Sequence, residues 1–112
     1  MTDTININKQ VKINNTLIKI TKKLYQKDYL KIFEAEDSSK SNILYQLHFY
    51  SIPVDSSYER TKCLQELYLY REINHKNIIK LKAYQEQTIN KITYFYFLLD
   101  TLNCISLQSL AN

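Results

Sequence analysis

Not one of the 112 residues is glycine, and that absence limits the chain more than any residue it contains. At an average usage of about 7%, roughly eight glycines belong in a chain of this length. Only glycine lets a backbone approach a phosphate closely and take positive φ freely. Gly-rich nucleotide loops are therefore excluded, together with collagen-like repeats and Gly-rich linkers. The length leaves room for one small domain, and 45% apolar content supplies its core.

Fifteen basic residues stand against 11 acidic ones, a net charge of +4. All but Arg60 and Arg71 are lysines, and they are spread from Lys9 to Lys91. A dedicated nucleic-acid binder clusters its cations and favours arginine for bidentate contacts, so nucleic acid is not the expected partner. Cys63 and Cys104 are the only cysteines, too few for a zinc spacing or a secreted disulfide scaffold. A reducing compartment follows, with the cytoplasm as the default location. Ile92 to Leu99 is the longest apolar stretch, far short of the roughly 20 residues that span a bilayer. Met1 to Lys12 has no apolar signal region, so no membrane partner is expected.

Residues 1–15 hold no sustained period and read as a flexible or extended leader, with the domain proper over 16–112. Leu17, Ile18 and Ile20 predict a first strand, Tyr29 to Glu36 a second, and Ile43 to Ile52 a third, rich in the β-branched and aromatic residues that suit a pleated surface. Asp55-Ser56-Ser57 offers helix N-cap side chains, and Tyr58 to Asn74 repeats apolar residues at helical spacing, with Leu67, Tyr70 and Ile73 as a stripe. Ile78 to Leu81 predicts a short strand, Gln85 to Lys91 a polar turn, and Ile92 to Leu99 a final strand. The expected class is α+β: a five-stranded antiparallel sheet with one packed helix.

Several strings in this order resemble the amino-terminal lobe of a eukaryotic-type protein kinase. Glu66 stands where that family has its helix-C Glu, and nine residues later His75-Lys76-Asn77-Ile78-Ile79-Lys80-Leu81 is similar to H-x-N-[IV]-[IV]-x-L. Ile32-Phe33-Glu34-Ala35-Glu36-Asp37 resembles the family's second strand, and Leu44-Tyr45-Gln46-Leu47-His48 its third. Tyr96 to Leu102 resembles the fifth strand and hinge, and Ile105-Ser106-Leu107 the start of the next helix. His75 to Ile78 is also somewhat similar to Numb-associated kinases.

The resemblance implies a nucleotide site, and its departures imply that the site is degenerate. The three glycines of the family's loop fall on Tyr25, Lys27 and Leu30, ahead of Ile32. The strand-three lysine falls on His48, and the alanine that lies against adenine falls on Gln46. Glu66 thereby keeps the family's residue without its cationic partner, and an exposed helical carboxylate is the competing reading. Leu99 matches the gatekeeper and Leu102 the hinge residue. The family's H-R-D and D-F-G motifs lie beyond the matched region, so no catalytic residue is assigned here. No cofactor is expected, ATP and Mg²⁺ included, and no metal site.

Tyr70 and Leu81 match positions of the family's hydrophobic spine. With Tyr68, Ile105 and Leu107 they mark the face that a kinase's second lobe covers, where a protein partner is expected. The reading that follows is a noncatalytic, pseudokinase-like interaction module or a fragment of a kinase-like protein. The ATP-binding half of a serine/threonine-type kinase, a small basic nucleic-acid-binding domain and a nonfunctional gene relic are the alternatives.

Overall fold

The structure is a computed structural model, and it describes residues 5–72 and 80–100, the side chains of residues 41 and 42 excepted. The elements run β1 (Gln10–Ile13), β2 (Thr16–Lys27), β3 (Leu30–Asp37), β4 (Lys40–Pro53), α1 (Ser57–Glu72), β5 (Lys80–Ile89) and β6 (Ile92–Asp100). All strands join one antiparallel sheet in the order β1-β2-β3-β4-β6-β5.

The five-stranded expectation is thus corrected to six strands, in a sheet that curls almost into a barrel. The added strand, β1, comes from the stretch read as a leader. Its Val11 and Ile13 pair with Ile18 and Thr16, and Ile13 is fully buried. Polar residues on either side hid this four-residue strand, whose apolar pair gains a core only after the chain turns back at Asn14. Asn14 also closes the sheet: its amide N–H donates to Gln85 Oε1 at 2.9 Å, and its side-chain amide donates to the Tyr84 carbonyl. The first and last strands of the sheet therefore approach each other.

The missing glycines are replaced at the turns. Asn8, Asn14, Asp28, Asn90 and Lys91 all have positive φ, between 52° and 70°. Asn and Asp tolerate this region because their short polar side chains bond the local backbone. Asn90 and Lys91 are consecutive and join Ile89 to Ile92, the two-residue turn whose twist matches that of a hairpin. The polar turn expected over Gln85 to Lys91 shrinks to these two residues, because pairing with β6 satisfies the backbone of 85–89 despite their polarity. At Asp37, the side chain accepts from the Ser39 amide at 2.9 Å and from the Ser39 hydroxyl at 2.7 Å, shaping the turn into β4.

Two cores lie on opposite faces of the sheet. Inside the curl, Ile18, Ile20, Phe33, Leu47, Phe49, Tyr94, Tyr96 and Leu98 pack together. Outside it, Tyr50, Ile52, Phe95, Phe97 and Leu99 pack beneath Cys63, Leu67 and Tyr70 of α1. Alternate residues of β6 serve alternate cores, which is why it reads as an unbroken apolar run. Residue 73, the expected end of the helical stripe, lies outside the described residues; Cys63 joins Leu67 and Tyr70 instead.

Candidate functional site

Residues at a spacing of two share one face of a strand, so Gln46, His48 and Tyr50 project together from β4. α1 crosses that face and brings Glu66 down to them. His48 is fully buried; its Nδ1 lies 3.2 Å from Glu66 Oε2 and its Nε2 lies 3.1 Å from Gln46 Oε1. The Tyr50 hydroxyl donates to the other carboxylate oxygen, Glu66 Oε1. The Tyr70 ring meets His48 edge-on, with centroids 6.1 Å apart. Glu66 is therefore not partnerless, as expected, nor a solvated helical carboxylate: His48 and Tyr50 each take one of its oxygens.

Burial fixes the protonation of the neighbouring groups. It pushes the Tyr50 hydroxyl far above the ordinary phenol range, and the Glu66 charge adds to the rise. Tyr70 is raised by the same two causes in the same order. Burial, followed by Glu66 and Glu86, also raises the Cys63 thiol, which leaves it without thiolate character at neutral pH. In the cluster the Tyr50 phenol, the His48 imidazole and the Glu66 carboxylate are already engaged with one another, and none of them is an activated nucleophile. Among the described residues, no group of three or more His, Cys, Asp or Glu is placed to hold a metal ion.

Glu66 also borders a cleft of about 330 Å³ between the β2–β3 hairpin, β4 and α1, shared with Tyr25, Lys27, Leu30, Tyr50 and Cys63. Tyr25 pairs with Ile32 and Lys27 with Leu30, so the three positions where the resemblance puts glycines lie on β2 and β3 around the two-residue turn Asp28–Tyr29, next to a register irregularity between Lys23 and Tyr25. Tyr25 and Lys27 are exposed, Leu30 is half-buried, and Ile32 is buried. Leu99 is fully buried opposite Gln46 and Leu81. The fold thus gathers Gln46, His48 and Glu66 into one network and sets Tyr25, Lys27 and Leu30 along the adjoining cleft.

Tyr68 is 64% exposed, but Tyr70 is only 3% exposed, which corrects its assignment to a surface. Its ring faces His48 because it follows Cys63 and Leu67 on the buried side of α1. Leu81 is half-buried against the same core. Residues 75–79, Leu102, Cys104, Ile105 and Leu107 lie outside the described residues. The sequence signal for Tyr50 is its two-residue offset from His48, which puts both on one face of β4.

No family model matches the chain, and no curated protein matches it. Among solved structures, a BubR1 kinase domain is similar in fold, with a TM-score of 0.57 at 10% sequence identity. The likeness covers 89% of this chain and 28% of that one, so the chain spans little more than a quarter of that kinase domain. At this identity the likeness concerns the fold: a kinase-like amino-terminal-lobe arrangement carrying six strands. No helix among the described residues is long and apolar enough to cross a membrane.

Proposed function

We propose that the chain is a noncatalytic kinase-like module, or the corresponding part of a longer kinase-like protein, that works by binding another protein. The observation that carries this reading is the closed network at His48. A kinase lysine at that position reaches both a nucleotide phosphate and the helix-C Glu. Here a fully buried imidazole is engaged by Glu66 and Gln46, and Tyr50 takes the remaining oxygen of Glu66. The hairpin above carries strand side chains where a phosphate-binding loop needs bare backbone.

The outer side of α1 supports the binding role. Tyr58, Leu64, Tyr68 and Leu69 are exposed along one helix, an apolar grouping of the kind that marks interaction surfaces. A thermal melt tests the nucleotide half of the reading: millimolar ATP with Mg²⁺ leaves the melting temperature unchanged, and a saturable rise overturns the proposal. Quantitative affinity capture tests the other half. A specific protein is retained by the native chain and lost from a Tyr68→Glu/Leu69→Glu variant; equal recovery by both contradicts it.

A further inference from the structure

We propose that the free edge of β2 accepts an extended acidic peptide as an added strand. β1 pairs only with Thr16 to Lys19, and Asn8 and Lys9 bond the backbone of Ile20. Among the described residues, Lys22, Lys23, Tyr25, Gln26 and Lys27 pair with β3 alone, with register irregularities between Ile20 and Lys22 and between Lys23 and Tyr25, and all six residues from Lys22 to Lys27 are exposed. Such an edge offers outward N–H and C=O groups that another strand can take up.

The chain's positive charge is concentrated in the part of the sequence that holds this edge. Residues 1–31 carry seven lysines and two aspartates, a net +5, whereas residues 32–112 carry eight basic and nine acidic residues, a net −1; together these give the +4 of the whole. Within the edge, Lys22 stands across from Glu34, which Thr21 Oγ1 also engages at 2.9 Å. Lys23, Lys27 and Lys31 stand across from Phe33, Leu30 and Gln26. Among the described residues none of these three forms an ion pair; Lys23 donates only to Gln26 Oε1, at 2.7 Å.

An acidic strand answers both deficits, giving main-chain partners to the edge and carboxylates to the lysines. A single-stranded nucleic acid would answer the charge and leave the edge's main-chain groups without the ladder. This edge is built from different elements than the α1 face, and the proposal stands whether or not the chain binds nucleotide.

Fluorescence anisotropy on the full chain tests it with a labelled Glu-Val-Glu-Thr-Glu-Val-Glu peptide and the same peptide N-methylated at alternate residues. The parent peptide binds saturably. N-methylation, which removes main-chain donors without altering charge, weakens binding about tenfold or more, by at least ~1.4 kcal/mol. A Lys23→Glu/Lys27→Glu variant weakens it similarly, and Lys23→Gln/Lys27→Gln gives a smaller loss should the first variant unfold by circular dichroism. Three results overturn the proposal: no saturable binding, which leaves the lysines as edge protection alone; equal binding of the N-methylated peptide; or tighter binding of a single-stranded oligothymidylate.

Discussion

Glu66 sits where α1 meets β4, with one carboxylate oxygen beside His48 Nδ1 and the other beneath the Tyr50 hydroxyl. Both partners are buried, so removing the carboxylate strands two polar groups at once. Each orphaned group costs about 1–3 kcal/mol, and Glu66→Ala therefore lowers the midpoint of urea unfolding by more than a surface carboxylate deletion such as Glu72→Ala. Equal midpoints for the two variants would mean that the network holds nothing together. The sequence pointed to Glu66, Gln46 and His48 through their alignment with a kinase motif. It did not reveal that they bond one another, because Tyr50 and Glu66 lie 16 residues apart and meet only once α1 has folded over the sheet. An aromatic residue in a strand reads as packing, and nothing local shows that its hydroxyl has a partner.

The individual elements are legible where composition and end signals are strong. β3, β4 and β6 lie close to their expected spans through their β-branched and aromatic content, β6 as an unbroken apolar run, and α1 through its N-cap residues and a stretch free of Gly and Pro. β1 is not legible in the sequence because a four-residue strand carries too little pattern, and its partner β2 supplies the ladder. β5 runs on past the expected Ile78 to Leu81 because residues 85–89, though polar, owe their strand conformation to β6. The turns show how a chain without glycine folds hairpins: Asn and Asp take four of the five positive-φ positions, and Lys91 takes the fifth at φ 67°. A lysine there lacks the local side-chain bonds of Asn, and the left-handed region costs such a residue about 1 kcal/mol. Lys91→Gly accordingly raises the melting temperature. A fall would show that Lys91 contributes more through its side chain than its backbone loses.

At the scale of the whole molecule, the stability of the fold is tied to its phenols. Burial, and then the bond to Asp37, raises Tyr45 from 10.0 to about 12; Tyr50 and Tyr70 are raised further, by burial first and Glu66 second. A phenol whose pKa is higher folded than unfolded keeps its full contribution below pH 10, and that contribution is lost as the pH climbs through 12. Unfolding free energy measured against pH is therefore steady up to about 9, the ordinary value of the buried Cys63 thiol, and falls more steeply above 10 as the phenols join it; a decline beginning well below pH 9 would contradict this origin. The fold is similar to part of a kinase domain, and on the reading proposed above the side chains at His48 satisfy one another where a nucleotide would need them free. The central claim is that this site is closed. Its most direct measurement is a nuclear magnetic resonance titration of the isotope-labelled chain with ATP and Mg²⁺, following the Gln46, His48, Tyr50 and Glu66 signals. The account predicts that they do not move as nucleotide is added. Saturable shifts centred on those four residues would show that the network opens for nucleotide, and would contradict it.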